Sequence, residues 1–243
     1  MSRRRSLTST PPAADNLSDR PGRRYLDFIP VPVIVGLGML LYWNSLSCSF
    51  HLDDFSNIVR NTALDNIGDI LVHPKSRFIG FATFALNRRF NGLDVFGYHA
   101  VNTAIHIATA LAAWLLALHL FRTPLLRAAV IAKSRREIAL AAALIVLTHP
   151  LQTQAVTYIV QRYAALAALF YITAAVFYIK ERLASGNRRL LWIIMAVIAG
   201  TLGIFTKENA ASLPVAILLV EIFFFAGGIR PLLAPEHRRT ALA

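Results

Sequence analysis

Long apolar runs constrain this chain more than any other feature. Of its 243 residues, 56% are hydrophobic and only 16% are charged, whereas about a quarter of the residues in a soluble domain carry charge. A bilayer-crossing helix needs about 20 apolar residues, and most of the runs approach that length. We therefore predict an all-α fold, a polytopic transmembrane helix bundle of about six spans. The runs cover residues 29–43, 98–121, 138–147, 155–179, 190–205 and 210–226.

The lysine and arginine residues indicate how these spans are oriented. Most of the 25 precede the first run, follow the last, or lie between runs two and three or four and five. Short cytoplasmic loops carry such an excess, so we expect an integral, multi-pass membrane protein with both termini cytoplasmic. The expected location is a bacterial inner membrane. The formal charge of +12 does not indicate a nucleic-acid partner, because the cations do not form one basic face with aromatic platforms.

The composition divides the chain into three parts. Residues 1–24 are polar and lack a hydrophobic period, which predicts a disordered, basic cytoplasmic tail. Residues 25–228 form the predicted transmembrane domain, with a long outer loop at about 47–97, and residues 229–243 form a second cytoplasmic tail. Within the loop, Arg77 to Arg89 encloses an apolar stretch that is too short to span, so we predict a helix parallel to the membrane surface.

An acidic pair, Asp53 and Asp54, directly follows the first run. A carboxylate next to hydrocarbon loses its hydration, which is costly unless a function uses the charge. The pair is therefore a candidate active site on the outer side. The alternatives are a solvated pair, or a cap for a short helix that begins at Phe55. A divalent cation between the two carboxylates is left open, since two ligands are too few to require one.

Other metal and nucleotide chemistry is disfavoured by the sequence. Cys48 is the only cysteine, so a cysteine-based metal cluster cannot form. Neither a glycine-rich phosphate loop nor a zinc pattern of His and Glu is present. The sequence therefore predicts no specific metal site and no certain cofactor.

Polar residues recur inside the second run. His99, Asn102 and His106 follow helical spacing and share one helix face. Lipid cannot satisfy their hydrogen bonds, so this face should point into the bundle. These residues either bond neighbouring helices or belong to a site. His99 lies nearest the outer surface and is the better site candidate.

Arg162 lies inside the fourth run and needs an anionic partner, because an unpaired arginine costs about 2.5–3.5 kcal/mol in a membrane helix. The planar guanidinium can bind two phosphate oxygens at once. Two roles stay open, namely contact with the phosphate of a lipid substrate and a structural ion pair. The candidate protein partners are the carboxylates of Asp53, Asp54 and Glu208.

Two outer turns complete the set of unusual polar groups. His149 lies between runs three and four, while Lys207 and Glu208 lie between runs five and six. An ordinary polar hairpin is the alternative interpretation of Lys207 and Glu208. The outer ends of most spans nevertheless carry such groups, whereas the inner ends carry the cations that topology demands.

Four stretches, at 50–61, 97–106, 149–162 and 206–208, resemble in order and spacing the membrane part of the transmembrane-and-tetratricopeptide-repeat O-mannosyltransferases and their bacterial relatives. These belong to the C-type glycosyltransferase superfamily. The resemblance implies a polytopic helical enzyme that transfers a sugar from a polyprenyl-phosphate donor to a protein or glycan acceptor at the outer face. In that superfamily an acidic residue at the start of the first outer loop is catalytic, which maps onto Asp53 and Asp54. The loop arginine corresponds to Arg77, with Phe78 in place of the usual proline.

On this basis we expect Asp53 to act as the general base in an inverting displacement, with Asp54 orienting the acceptor or a cation. Cationic groups would stabilise the leaving phosphate. We expect this donor phosphate-binding role for Arg162, Lys207 and Arg77, with His99, Asn102, His149 and Glu208 as further site candidates.

Three other interpretations stay open. Relatives continue into more spans and helical repeats, so the chain is expected to be a fragment, a truncated reading frame or a reduced homologue. A non-catalytic membrane scaffold or inactive fragment is therefore one alternative function. A transporter or lipid flippase is another, although its polar groups should reach the midplane of the membrane.

Overall fold

The computed structural model describes residues 29–72 and 76–229 of the chain. The predicted tail at 1–24 and residues 230–243 of the second tail lie outside this part. Every regular element in the described part is helical, in agreement with the predicted all-α class. The α-helices are α1 (Pro30–Tyr42), α2 (Ile67–Val72), α3 (Phe78–Asn91), α4 (Val95–Leu120), α5 (Pro124–Arg127), α6 (Arg135–Thr148), α7 (Thr153–Thr157), α8 (Arg162–Leu183), α9 (Arg188–Ile204) and α10 (Leu213–Val220).

Short turns of 3₁₀- and π-helix extend or connect these elements. The 3₁₀ turns are tighter than an α-helix and the π turns are wider. Four of these segments lengthen α1, α8 and α10 into longer apolar rods. The 3₁₀ segments are Trp43–Ser47, Thr62–Asp65, Val130–Ser134, Pro150–Gln152, Ile159–Gln161 and Glu208–Ser212, and the π segments are Phe55–Val59 and Glu221–Ala226.

Helices form at all six predicted runs, and within the described residues four of them are long and apolar enough to cross a membrane. These are Pro30–Ser47, Val95–Leu120, Ile159–Leu183 and Glu208–Ala226. Large apolar side chains on their outer faces are exposed, Leu40 among them, as expected for lipid contact. The chain is therefore an integral membrane protein.

The third and fifth predicted spans correspond to shorter helices. Helix α6 has 14 residues and α9 has 17, so at 1.5 Å per residue they are about 21 and 26 Å long. The hydrocarbon core of a bilayer is about 30 Å thick. The number of about six spans thus stays a prediction.

Helix α3 forms where the loop sequence predicts one. It follows Arg77, whose backbone φ of 64° is left-handed, and it ends before Gly92, whose φ of 58° stops the helix. The helix is not isolated, because Phe84 is fully buried and Gly80 lies against the ring of Tyr163 on α8. Its orientation relative to a membrane surface stays a prediction.

The long helices alternate in direction, so distant parts of the sequence meet at two opposite ends of the bundle. At one end the carboxylate of Asp54 accepts a hydrogen bond from Val160 at the start of the span Ile159–Leu183. We call this the aspartate end. Near the other end of the same span, Arg182 is bonded to Glu221, and we call this the arginine end.

A hydrophobic cluster lies beneath the aspartate end and joins the loop after α1 to the spans. Because it contains residues of the loop, of α3, of α4 and of the segment before α8, it fixes where the loop can lie. Its buried members are Ile58, Leu64, Phe84, Ala85, Tyr98, Tyr158, Ile159, Val160 and Tyr163.

Gly80 tests the packing of α3 on α8. A Cβ at Gly80 would overlap the ring of Tyr163, whereas a Cβ at Gly36 meets no atom within 4 Å. We expect Gly80→Ala to lower the free energy of unfolding by about 1–3 kcal/mol and Gly36→Ala to raise it by about 0.5–1 kcal/mol. Unfolding in detergent measures both, and a stable Gly80→Ala protein would contradict this packing.

Candidate functional site

Asp54 is fully buried, and its carboxylate ties the loop after α1 to the bundle. Oδ1 accepts a hydrogen bond from the backbone N–H of Val160 at 2.8 Å, and Oδ2 accepts one from the N–H of His51 at 3.2 Å. The side chain does not cap the short helix at Phe55–Val59, which was one alternative. It instead satisfies an N–H in the first turn of a span 106 residues away.

The environment of Asp54 makes its ionisation unusual. Burial raises the pKa of this carboxyl above its ordinary value, because the charged form loses water. The hydrogen bonds from the N–H groups of His51 and Val160 act in the opposite direction but are the smaller effect. Asp54 therefore holds a proton at a higher pH than an exposed aspartate does.

Asp53 is exposed, in contrast to its neighbour. Its backbone N–H donates to the hydroxyl of Tyr158 at 3.0 Å, and the ring of Tyr158 stacks on His51 with centroids 4.6 Å apart. Leu52, just before it, has a φ of 48°, which is strained for a residue with a branched side chain. This backbone directs one carboxylate inward and leaves the next one open to solvent.

The polar face of α4 points into the bundle, as its spacing predicts. His99 and Asn102 are fully buried and His106 almost so. Nε2 of His99 lies 3.0 Å from the carbonyl of Cys48, while Nδ1 is buried without a partner. The amide of Asn102 donates to the carbonyls of Val156 and Ile159, each at 3.2 Å. These bonds join α4 to the chain before and after it.

The Arg162 guanidinium is fully buried and satisfied by neutral groups. It ties α8 to α3 and α4, and none of the carboxylates in the described residues contacts it. The structural ion pair with Asp53, Asp54 or Glu208, one of the two roles left open for Arg162, therefore does not form among the described residues. The four acceptors are Asn102 Oδ1 at 2.7 Å, Asn87 Oδ1 at 2.6 Å, the Tyr98 carbonyl at 2.9 Å and the Thr83 carbonyl at 3.3 Å.

Neutral partners suffice because carbonyl and amide dipoles surround the cation and an aromatic face covers it. The Cζ atom of Arg162 lies 4.4 Å from the ring centroid of Phe84, within the range of a cation–π interaction. Asn87 is an acceptor of Arg162 that was not predicted from the sequence. Its signal was available, since Thr83, Asn87 and Asn91 repeat every four residues along α3.

Arg77 and Glu208 form an ion pair at the aspartate end. Nε of Arg77 lies 3.0 and 3.1 Å from the two carboxylate oxygens, and Ser76 donates a further bond to Glu208 at 2.6 Å. The bond to Glu208 raises the pKa of the Arg77 guanidinium. The neighbouring ammonium of Lys207 makes no hydrogen bond or ion pair with the described part of the chain.

The predicted site residues thus fall into separate positions. Asp53, Asp54 and His99 lie around the start of α8, and the pair of Arg77 with Glu208 lies where α3 begins. Arg162 lies in the interior and does not face the exposed carboxylate. His149 is exposed, and its Nδ1 accepts the N–H of Leu151 within its own turn.

Comparisons with known proteins agree with the resemblance found in the sequence. The chain is 26% identical over 226 residues to mouse protein O-mannosyl-transferase TMTC3, which is 86% of the chain and 23% of the relative. It is 28% identical over 207 residues to Xenopus laevis tmtc2, covering 78% of the chain and 23% of the relative. With Drosophila melanogaster Tmtc3 the identity is 27% over 247 residues, or 90% and 26% of the two chains.

The chain spans about a quarter of the length of these curated relatives, all of which are named protein O-mannosyl-transferases. No protein-family model and no solved structure matches it. The comparisons thus show similarity to proteins named O-mannosyl-transferases.

Arg162→Lys tests the buried hydrogen bonds of the Arg162 guanidinium. Lysine keeps the charge but cannot reach four acceptors with one planar group, so we expect a loss of about 3–5 kcal/mol in the free energy of unfolding. Arg89→Lys, on the exposed side of α3, is the matched control and should be nearly neutral. A folded Arg162→Lys protein with reduced donor affinity alone would instead support phosphate contact.

The stability contribution of Asp54 should depend on pH. Because its pKa is higher in the folded than in the unfolded state, the folded state binds the proton first, and its contribution falls as pH rises through that window. The melting temperature of the wild type relative to Asp54→Asn should therefore rise as the pH falls from neutral toward the range in which an exposed aspartate binds its proton. An unchanged or opposite shift would show that Asp54 is not buried as described.

Proposed function

We propose that this protein transfers a sugar from a polyprenyl-phosphate donor to a hydroxyl of a protein or glycan acceptor at the outer face of the membrane. The similarity to named O-mannosyl-transferases supports the reaction class and makes mannose the first sugar to test. The single observation that supports the mechanism is the exposed carboxylate of Asp53, held by its backbone bond to Tyr158.

Asp53 acts as the general base in this proposal. Its carboxylate accepts the proton of the acceptor hydroxyl while that oxygen bonds to the anomeric carbon and the bond to the lipid phosphate breaks. The leaving phosphate is a stable anion and needs no general acid. Attack from the face opposite the leaving group inverts the anomeric centre. Base catalysis of this kind contributes about 10²- to 10⁴-fold in rate.

Asp54 is a positioning residue. Its buried carboxylate anchors the loop to Val160 and His51, and so fixes the neighbouring Asp53 relative to the bundle. A cation held by both aspartates would need their carboxylates on one side, whereas one is buried and the other exposed. Orientation of the acceptor or of a cation is therefore the less favoured role for Asp54.

The leaving phosphate requires positive charge in a partly dehydrated place. Lys207 is suited to this role because its ammonium has no partner among the described residues. Arg77 is suited as well, although a phosphate must share its guanidinium with Glu208. Arg162 acts indirectly and does not contact the phosphate. Its four hydrogen bonds to neutral groups hold together the helices that carry the site.

The proposed topology places the aspartate end outside and both termini in the cytoplasm of a bacterial inner membrane. The lysines and arginines of the short connections, which gather at the arginine end, support this orientation. Helices α6 and α9 then cross as the third and fifth of six spans with local thinning of the bilayer. Helix α3 lies along the outer surface.

A non-catalytic scaffold is the second candidate. The complete satisfaction of Arg162 by neutral groups and the pairing of Arg77 with Glu208 favour it, because both arrangements also suit purely structural polar residues. The two functions differ at Asp53, since a scaffold tolerates the loss of an exposed carboxylate.

Asp53→Asn decides between them. We expect transfer from polyprenyl-phosphate mannose to a Ser- and Thr-containing peptide to fall 10²- to 10⁴-fold, with no loss of thermal stability, because the side chain is exposed. Asp94→Asn is the matched control, since asparagine also caps α4 at this exposed position. Near-normal transfer by Asp53→Asn at equal membrane expression would exclude the base role.

A further inference from the structure

A cavity of about 510 Å³ lies at the arginine end, remote from the aspartates. It is open to one side and is lined by the last turn of α4 and the residues just after it, the last turns of α8 and the beginning of α9. Its size is within the range of sites for small ligands and head groups. Its positive charge comes from Arg122, Lys180 and Arg188, and Trp192 and Leu183 form apolar walls.

The charges around this cavity are not compensated. No carboxylate lines it, and the side chains of Arg122, Lys180 and Arg188 make no ion pair with the described residues. Nearby arginines of the same end differ, since Arg182 is bonded to Glu221 and Arg189 to Glu181. Topology alone demands cations on this side of the membrane, but not their convergence on one cavity without a carboxylate.

The ammonium of Lys180 is held in place by an aromatic surface. Its Nζ atom lies 3.3 Å from the ring centroid of Trp192, and that ring stacks on Phe177 with centroids 5.6 Å apart. A cation–π contact fixes the position of the charge without neutralising it. The cavity therefore has at least one cation in a defined place, ready to meet an anion.

The beginning of α9 adds to this positive field. The 17-residue helix starts at Arg188, the side chain of Asn187 makes no capping bond, and its first turn contains no acidic residue. The first N–H groups of a helix lack internal partners and carry partial positive charge. An anion next to this helix end gains from both the N–H groups and the arginine.

We propose that this cavity binds the phosphate head group of an anionic phospholipid, with Arg122, Lys180 and Arg188 as its ligands. A lipid fits better than a soluble phosphate, because Leu183 and Trp192 offer apolar surface for the start of the acyl chains. Tryptophan is also enriched where membrane helices meet the head-group layer, and basic pockets between such helices suit anionic head groups. The site is independent of sugar transfer at the opposite end.

The test uses the full chain, titrated with phosphatidylglycerol or phosphatidylcholine and examined by native mass spectrometry. We expect the affinity for phosphatidylglycerol to exceed that for phosphatidylcholine. Each lost cation should weaken it about fivefold, so the double substitution Arg122→Gln and Arg188→Gln should weaken it about 25-fold. Arg188→Lys keeps the charge and should retain most of the binding.

Arg127→Gln is the matched control, because it removes the same charge from an exposed position in the connection after α4. It should change the affinity less than twofold. Three results would overturn the proposal: equal affinity for both lipids, equal losses in Arg127→Gln and the cavity variants, or displacement of the lipid by millimolar inorganic phosphate, which would indicate a site for a soluble anion.

Discussion

The buried guanidinium of Arg162 is the interaction on which the aspartate end depends. A charge inside a membrane helix is costly, and here the bundle satisfies it with side-chain amides and backbone carbonyls instead of a counterion. Because its acceptors belong to α3 and α4, one side chain of α8 fixes three helices at once. Removing it would leave several buried acceptors without partners, at about 1–3 kcal/mol each.

The three helices held together by Arg162 explain how two neighbouring aspartates acquire different properties. The start of the span that carries Arg162 also presents the N–H of Val160, and Asp54 turns inward to accept it. With the strained backbone at Leu52, Asp53 must then turn outward. One carboxyl becomes an anchor with a raised pKa, and the other stays accessible. The proposed division into a base and a positioning residue follows from this difference in environment.

The sequence predicted the helical class, helices at all six apolar runs and a helix between Arg77 and Arg89, because apolar length and flanking cations are local signals. The partner of Arg162 could not be predicted in this way. An arginine in an apolar run indicates a need for acceptors, but the choice between a carboxylate and two asparagines depends on which helices pack together. The same holds for Asp54 and Val160, which are far apart in the sequence and meet only in the folded bundle. The repeat of Thr83, Asn87 and Asn91 shows that these polar residues share one face of α3, but it does not show which helix that face meets.

The two ends of the bundle use charge in opposite ways. At the aspartate end most charged groups have partners, so an exposed Asp53 and an unpaired Lys207 are conspicuous. At the arginine end, uncompensated cations surround a cavity. The first arrangement suits a reaction that moves one proton and releases a phosphate, and the second suits a resident anionic lipid.

The configuration of the product tests the central claim most directly. The full chain in lipid nanodiscs can be supplied with polyprenyl-phosphate mannose labelled with ¹³C at the anomeric carbon, together with a Ser- and Thr-containing peptide, and the linkage can be assigned by NMR. A base at Asp53 predicts a glycopeptide whose anomeric configuration is opposite to that of the donor. Retention of configuration, or the absence of transfer by a folded protein, would contradict it.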